Sequence, residues 1–368
     1  MTTRGGRKTS SPASGRLATR LRRRCWGSFG QDFPILPARS IQSRPMQVFV
    51  YEHVTGGGFA GGQLPKSLEQ EGQAMLEAFV TDLADVPGIS VVTLPERLGS
   101  DESALAFDRL SRASDGVVLI APELDGCLKA LAFRVLKVGG RLLGSSNEVI
   151  ALASDKLELP RLLRQLKISS IEAEPFVTGC DPSFGYPAVV KPRWGSGSTE
   201  TCLVRSHYEL PVPTRECIAT PYVAGLSASL LCIAGPRGIL PLRSGEQLLS
   251  VDGGFRYKGG RLPLAPRLEA RARRLALRAV NSVSGLLGFV GVDMILDVDA
   301  RDEPRDCIVE INPRLTTSYV GLRALSTTNL AEHWLRTIHG EFPAPPLWRS
   351  GSVKFLPDGA LEHSERAP

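Results

Sequence analysis

The residues best suited to chemistry lie in two short stretches near the end of the chain, 289–298 (FVGVDMILDV) and 307–312 (CIVEIN). Both stretches alternate polar and apolar side chains, a pattern that predicts two strands with one face in the core. Asp293 lies on the polar face of the first stretch, and Glu310 and Asn312 share the polar face of the second. Joined by a turn, the two stretches form a β-hairpin.

If that hairpin turns about Arg301 and Asp302, Asp293 lies near Glu310 across the ladder. Two carboxylates at such a short distance repel each other unless a positive group lies between them. Asp, Glu and Asn oxygens are ligands that Mg²⁺ takes alongside phosphate oxygens. The hairpin therefore predicts a metal site, with charges on a solvated hairpin face as the alternative. The opposite face is predicted to lie in the core and contains Val290, Val292, Met294, Leu296, Val298, Cys307, Val309 and Ile311.

Two lysines earlier in the chain could supply positive charge. Lys156 lies in SDKL on a predicted helix, where a surface lysine is the alternative. Lys191 ends the apolar run PAVVK and leads into a glycine-serine loop. A cation at a strand end before such a loop can hold a polyphosphate through its ammonium and the backbone N–H groups, and a strand-end loop without a ligand is the alternative.

The order of these pieces resembles the ATP-grasp superfamily over residues 145 to about 345. The matching motifs are, in chain order, SDK, VVKP with its glycine-serine loop, PYVAG, GVDMILD and EINPR. The preceding α/β unit looks like the pre-grasp domain of that superfamily. Within the superfamily, VFVYEHVTGGG, SLEQEGQAML and EINPRLTTSYVGLR look most like the tyramine–glutamate ligase group of methanofuran biosynthesis.

This resemblance implies a role for each matching residue. Lys156 and Lys191 correspond to lysines on the α- and β-phosphates of ATP, and a loop would close over the phosphates. Arg314 falls where the family often places an arginine against the acyl-phosphate or its carboxylate precursor, so Arg314 and Lys191 are the catalytic candidates. The remaining assignments are the loop Gly195, Ser196, Gly197 and Ser198, the adenine-contacting hinge Pro221, Tyr222 and Val223, and the magnesium ligands Asp293, Glu310 and Asn312.

The implied activity is that of an ATP-dependent carboxylate–amine ligase that releases ADP and works through an acyl-phosphate. Its implied cofactors are ATP and two Mg²⁺ ions, with Mn²⁺ as an alternative metal, and its substrate is small and amino-acid-like, for example glutamate with an aromatic amine. Family hinges usually carry acidic residues where this chain has Thr220 and Ser227. A nucleotide-binding ATP-grasp protein without ligase activity is therefore the alternative.

Three further residues are candidates for substrate contact. Glu52 ends the first predicted strand, where open α/β sheets face their ligands, although a simple loop pair is the alternative. Tyr257 and Lys258 lie in GGFRYKGG, a segment that could cover the acyl acceptor. The glycine-rich stretch 56–61 (GGGFAG) fits the dinucleotide-binding pattern, but the acidic residue expected about 20 residues later is missing. This stretch favours a flexible loop or a structural turn.

The elements that must position these residues predict an α/β protein. Strands at 46–51, 89–94 and 115–122, with helical segments after the first and third, predict a parallel pre-grasp α/β domain over 46–145. An ATP-grasp domain of two α+β subdomains gripping ATP is predicted over 146–345, with its hinge near 220–225. It begins with a helix that ends at Pro160. Residues 346–368 are predicted to be a C-terminal tail, whose last part, 357–368 (PDGALEHSERAP), is predicted to be loose.

Composition restricts the remaining possibilities. The net charge is +6, but residues 1–45 carry ten Lys or Arg and one acid, so the rest of the chain is slightly acidic. This distribution argues against nucleic acid as a partner and predicts that 1–45 is a disordered basic tail or an overlong start before Met46. No apolar run reaches about 18 residues, so no membrane span is predicted. Seven cysteines without a CxxC pair favour the reducing cytoplasm, and a homodimer is the default assembly.

Overall fold

The computed structural model describes residues 44–58, 66–94, 100–299 and 304–364. Apart from its last two residues, the predicted basic tail at 1–45 lies outside these ranges. The same holds for the predicted turn at Arg301 and Asp302 and for the second half of the glycine-rich stretch 56–61. Three sheets account for the strands that the structure describes.

The N-terminal unit is a parallel three-stranded sheet in the order β2-β1-β3. Its elements are β1 (Met46–Glu52), α1 (Lys66–Ala84), β2 (Ile89–Val92), α2 (Ser100–Ala113), β3 (Gly116–Ile120) and α3 (Cys127–Lys137), with a 3₁₀ turn at Leu124–Gly126. The parallel α/β unit is therefore confirmed. Helix α2 is absent from the sequence-based prediction because Phe107 is its one fully buried large apolar side chain, so its apolar periodicity is weak.

A four-stranded antiparallel sheet follows in the order β4-β7-β5-β6. Its elements are α4 (Asn147–Ser154), α5 (Glu158–Gln165), β4 (Glu174–Pro175), β5 (Ala188–Pro192), β6 (Cys202–Val204), a 3₁₀ turn at His207–Glu209 and β7 (Cys217–Pro221). The predicted helix end at Pro160 is wrong. The helix breaks earlier, where Asp155 Oδ1 accepts the N–H groups of Leu157 and Glu158, and Pro160 lies in the first turn of α5. Proline is tolerated there because that turn needs no N–H donor.

The chain passes from β7 into a seven-stranded antiparallel sheet in the order β12-β11-β8-β9-β10-β13-β14. The strands are β8 (Leu226–Gly235), β9 (Gly238–Leu249), β10 (Tyr257–Leu262), β11 (Gly288–Leu296), β12 (Cys307–Asn312), β13 (Ser352–Phe355) and β14 (Leu361–Ser364). Three helices accompany them: α6 (Pro266–Val280), α7 (Ser318–Leu325) and α8 (Leu330–Ile338). The crossing between sheets at 222–225 falls within the predicted hinge.

The predicted C-terminal tail at 346–368 contains two strands of the large sheet, and the prediction that its last part is loose is wrong at 361–364. Strand β13 pairs with β10 and β14, so the end of the described chain completes the large sheet. Val353 and Phe355 on β13 are buried, and the intervening Lys354 pairs with Glu362 on the neighbouring strand. The short run SVKF carries this alternation, but four residues are too few to distinguish a strand from a loop by pattern.

One aromatic cluster joins the N-terminal unit to the large sheet. The Trp334 ring on α8 lies edge-on to Phe79 of α1 at 5.3 Å between centroids and stacks on Phe289 of β11 at 6.0 Å. On the same helix α1, the carboxylate of Asp82 accepts hydrogen bonds from Tyr319 and Arg323 of α7. The N-terminal unit and the large sheet therefore share one apolar core, and helices α1 and α7 are joined by a partly buried ion pair.

Bilayer crossing requires a long apolar helix. None of the helices that the structure describes is long and apolar enough for this.

Replacing Trp334 by Ala is expected to lower the free energy of unfolding by about 3–5 kcal/mol, because the emptied core site cannot fully collapse. The measurement is urea unfolding followed by circular dichroism. Tyr208→Ala is the matched control, because that ring is 95% exposed, and its effect is expected to stay within about 0.5 kcal/mol. Equal losses in both variants would contradict a shared aromatic core.

Candidate active site

A cavity of about 320 Å³ lies between the four-stranded sheet and the seven-stranded sheet. Residues of β5 and β7 line one side, and residues of β8, β9, β10, β11 and β12 line the other. This volume suits a small-molecule ligand. Charged side chains from both sheets face the cavity, so its chemistry depends on how these charges are arranged.

The cross-strand pairing predicted for the hairpin is confirmed, because Asp293 on β11 lies directly opposite Glu310 on β12. The side chain of Asn312 donates to Asp293 Oδ2 at 3.0 Å and to Glu310 Oε1 at 3.4 Å. Gln247 on β9 donates to Asp293 Oδ1 at 3.0 Å. The three predicted metal ligands therefore form one cluster, held in place by amide donors.

Two residues predicted to lie on the core face of the hairpin lie elsewhere. Met294 pairs with Ile308 while Asp293 pairs with Glu310, so Val309 is the extra residue of a β-bulge. The bulge shifts the alternation of β12, with the result that Ile308 is buried and Val309 lines the cavity. Val298 follows the end of β11 and is half-exposed.

The segments that carry the two lysines are clamped to each other. Asp155 accepts two hydrogen bonds from the guanidinium of Arg193, at 2.8 and 2.6 Å, and the N–H of Lys156 donates to the carbonyl of Arg193. Lys156 Nζ then reaches Glu310 Oε2 at 2.8 Å. Lys191, two residues before Arg193, also lines the cavity. The clamp brings both ammonium groups to the carboxylates of the hairpin.

The buried charges shift one another's ionisation. Burial, together with the neighbouring Glu310, raises the pKa of Asp293 above its usual range. Burial opposes ionisation of Glu310 as well, but Lys156 and Lys191 hold the pKa of Glu310 below its usual range. Burial and the like charge of Lys156 lower the pKa of Lys191 to about 8. The cluster therefore contains a carboxylate pair and an ammonium pair, each with internal repulsion.

The hairpin cluster fits a hard divalent cation. Among the described residues, no three His, Cys, Asp or Glu side chains form a metal-binding group. The candidate protein ligands are the two carboxylates and the Asn312 amide. Burial and the charge of Glu310 raise the pKa of Asp293 above its usual range, so a cation bound beside the pair would favour the ionised form of both carboxylates. Mg²⁺ is often bound by one or two carboxylates and takes its remaining ligands from phosphate and water. Asp293, Glu310 and Asn312 could therefore hold such an ion.

Every residue of the predicted phosphate loop and hinge lines the cavity. In the loop, Ser196 Oγ is buried and has no hydrogen-bond partner, whereas Ser198 Oγ donates to the carbonyl of Phe255 at 2.8 Å. At the hinge, Thr220 Oγ1 is also buried without a partner, and the Tyr222 ring stacks on Phe255. Buried hydroxyls of this kind are unfavourable unless a ligand completes their hydrogen bonds.

Arg314 reaches the cavity from the loop after β12, and the N-terminal unit orients it. Its guanidinium forms two parallel hydrogen bonds with Glu123, at 2.9 and 2.7 Å, and a third with the carbonyl of Leu315. Burial disfavours the charged guanidinium, but Glu123 raises the pKa of Arg314 above its ordinary value. A bidentate arginine–carboxylate pair fixes the plane of the guanidinium.

The three predicted substrate contacts have different outcomes. Tyr257 lines the cavity, but Lys258, its neighbour on β10, is exposed and does not, because successive side chains of a strand point to opposite faces. Glu52 is buried outside the cavity lining, where its carboxylate accepts the N–H of Thr55 at 2.7 Å. Contrary to the prediction that they contact the substrate, Lys258 and Glu52 therefore do not line the cavity.

Three residues of the site were not predicted from the sequence: Gln247, Glu123 and Glu71. Glu71 lines the cavity from α1, and burial raises its pKa to about 7. All three are single polar residues far from the motifs in sequence. The segment around Glu71 reads as the solvated face of a helix, so no local signal separates it from surface residues.

Comparisons with known proteins agree with this geometry. Residues 152–318 match the family described as the ATP-grasp domain, and residues 87–150 match the pre ATP-grasp 3 domain. The tyramine–L-glutamate ligase of Methanocaldococcus fervens is 26% identical over 264 residues, which cover 72% of this chain and 79% of that protein. The tyramine–L-glutamate ligase of Methanocaldococcus jannaschii is 25% identical over 263 residues, which cover 72% of this chain and 75% of that protein. A crystal structure of an ATP-grasp superfamily protein from Archaeoglobus fulgidus covers 84% of this chain and 92% of its own, with a TM-score of 0.62 and 25% identity.

The comparisons define the class of protein: an ATP-grasp protein that resembles ligases. The chain belongs to the ATP-grasp superfamily and, within it, resembles the tyramine–L-glutamate ligases. The predicted fold class, an ATP-grasp fold preceded by a parallel α/β pre-grasp domain, is confirmed.

Affinity for a nucleotide polyphosphate is expected to fall as the pH rises above about 8. The pKa of Lys191 is about 8 in the free protein, and a bound phosphate would raise it by favouring the ammonium form. Binding is therefore strongest below this pKa, whereas above it binding must take up a proton. Calorimetry with Mg-ADP in buffers of different ionisation enthalpy measures the uptake, and Lys191→Met should abolish it. Wild-type binding without proton uptake at high pH would contradict the prediction.

Proposed function

We propose that the protein is an ATP-dependent carboxylate–amine ligase that activates a small amino-acid-like substrate as an acyl-phosphate. The observation that carries the proposal is the convergence of two lysines and two carboxylates in one cavity, where Lys156 pairs with Glu310 and Lys191 lies close by. Anionic phosphates and a divalent cation together would balance both halves of this cluster.

The proposed substrates are glutamate and an aromatic amine, as in C1-carrier biosynthesis of the methanofuran type. Two curated relatives of about 25% identity are named tyramine–L-glutamate ligases, and the matched region covers three quarters or more of each. The cavity supports an amino-acid-like substrate because both a guanidinium and a carboxylate, those of Arg314 and Glu71, line it.

In the proposed first step, a carboxylate oxygen of the substrate attacks the γ-phosphorus of ATP, and ADP leaves. The activation is needed because a carboxylate is too poor an electrophile for an amine. Lys156 and Lys191 would hold the phosphate oxygens and neutralise their charge, an effect worth several kcal/mol in a closed, dry site. A divalent ion bound by Asp293, Glu310 and Asn312 would supply further charge neutralisation at the phosphates.

In the proposed second step, the amine attacks the acyl carbon, the bond to the phosphate oxygen breaks, phosphate leaves and the nitrogen loses a proton. Arg314, fixed by Glu123, would face the acyl-phosphate. The loop 195–198 would cover the phosphates and exclude water, which would otherwise hydrolyse the intermediate. The hinge at 221–223 would contact adenine through its main chain.

A cytoplasmic location and a homodimer remain proposals. The six cysteines that the structure describes are all free thiols, which suits a reducing compartment. A homodimer is proposed only as the commonest oligomer of soluble proteins.

Replacing Glu310 by Gln is expected to lower the turnover of L-glutamate and tyramine by roughly 100-fold or more, because the change removes the partner of Lys156 and one metal ligand. ADP release measures turnover, and circular dichroism checks that the fold is kept. Glu332→Ala is the control, because Glu332 lies on the exposed side of α8. Undiminished turnover in Glu310→Gln would remove the metal assignment.

The second candidate function is nucleotide binding without ligase activity. Thr220 and Ser227 favour it, because both line the cavity at positions where ATP-grasp hinges usually carry acids. Calorimetry with Mg-ATP, followed by a phosphate-release screen over amino acids and amines, distinguishes the two functions. Tight binding without phosphate release from any combination would support the second function.

A further inference from the structure

The charges that line the cavity are almost all matched by protein partners. Lys156 and Glu310 form an ion pair, and amide groups of the protein hydrogen-bond both oxygens of Asp293. The remaining pairs are Arg314 with Glu123 and Glu246 with Arg261. Two charged lining residues are left, Lys191 and Glu71, and neither side chain forms a hydrogen bond or ion pair with a described residue.

These two residues differ in sign, which indicates two different ligand groups. A charged side chain in a cavity without a protein partner pays for its desolvation unless a ligand of opposite charge binds it. For Lys191 that ligand is the polyphosphate already proposed. For an ionised Glu71 it is a cation, and Glu71 is not among the residues proposed to hold the divalent ion, Asp293, Glu310 and Asn312.

Helix α1 holds Glu71 in a fixed position. The next residue, Gly72, packs so closely on the carboxylate of Glu52 that an added Cβ would lie 2.6–2.8 Å from the carboxyl atoms. A side chain at position 72 would have to displace the Glu52 carboxylate, so the glycine lets the helix pack against Glu52 at the end of β1. Further along the helix, Phe79 packs on Trp334 of α8 and Asp82 accepts a hydrogen bond from Tyr319 of α7. The carboxylate of Glu71 is therefore placed in the cavity wall by a rigid element.

The surroundings of Glu71 favour an ammonium group over a metal ion. The positive charge of Arg314 acts on Glu71, and the negative charge of Glu71 acts on the phenol of Tyr257. A single carboxylate beside a guanidinium is a poor metal site, because a hard dication needs several oxygen ligands and is repelled by the arginine. The carboxylate of Glu71 matches the ammonium of a zwitterionic amino acid. The guanidinium of Arg314 keeps two N–H donors beyond its three bonds to Glu123 and Leu315, and these match the carboxylate of such a ligand.

We propose that Glu71 binds the ammonium group of the amino-acid substrate whose carboxylate becomes activated. This inference rests on the proposed ligase function and specifies its carboxylate substrate as one that carries a protonated amine. The attacking amine is a less suitable occupant, because it must be neutral when it attacks and an ion pair with a carboxylate favours its protonated form.

The test compares binding of L-glutamate with binding of glutarate, which is the same diacid without the ammonium group. Calorimetry in the presence of Mg-ADP measures both ligands on the wild type, on Glu71→Gln and on Glu69→Gln, a control on the exposed side of the same helix. We expect Glu71→Gln to weaken L-glutamate binding by roughly 10- to 100-fold, the range for hydrogen bonds to charged groups. Glutarate binding, and both affinities of Glu69→Gln, should stay within about twofold of the wild type.

Three results would overturn the proposal. The first is equal weakening of L-glutamate and glutarate by Glu71→Gln. The second is a wild type that binds neither L-glutamate nor any other common amino acid. The third is unchanged L-glutamate binding with slower turnover, which would make Glu71 a base for the attacking amine.

The ligase function is tested separately, by ADP release with L-glutamate and hydroxylamine as a general nucleophile. If Glu71→Gln selectively weakens L-glutamate binding but no ADP is released, the result would contradict the ligase function and still support the ammonium site. The expected binding pattern together with ADP release would support both.

Discussion

Repulsion between like charges in a poorly hydrated place is the constraint on which this site depends. Asp293 and Glu310 lie opposite each other across two paired strands, and water screens them only weakly. Lys156 reaches Glu310 from the junction between two helices, and the charge of Lys191 acts on the same carboxylate from a different sheet. The carboxylate pair of the large sheet is thus balanced by ammonium groups that the smaller sheet and its helices carry.

Positioning these groups requires further contacts that hold the charged side chains in place. The Asp155–Arg193 ion pair ties together the two segments that precede and follow the lysines, at 2.6 Å between nitrogen and oxygen. Gln247 and Asn312 orient Asp293 through its two oxygens. Each contact restricts a side chain that would otherwise sample several rotamers, so the cavity is largely preorganised before a ligand arrives.

The parts of the site that depend on the alternation of side chains along one strand were predictable from the sequence. The parts that depend on distant segments meeting in the fold were not. Strand alternation places Asp293 and Glu310 on one face of the hairpin, and the register confirms it. The bulge at Val309 depends on the register in which β11 and β12 pair, and the alternation of side chains along one strand does not reveal that register. Glu123 and Glu71 come from elements far away in sequence. Only the folded chain shows that Glu123 pairs with Arg314 and that the charge of Arg314 acts on Glu71.

The ion pair between Arg314 and Glu123 joins residues that are 191 positions apart. Because Glu123 of the N-terminal unit orients the guanidinium of Arg314, moving the segment around Arg314 into another protein would not by itself reproduce that orientation. A chimaera that keeps the last two thirds of this chain and takes its first third from a relative without the glutamate would leave a buried, uncompensated cation at the reaction centre. Natural recombination between these two regions should therefore succeed only when both partners of the pair are inherited together.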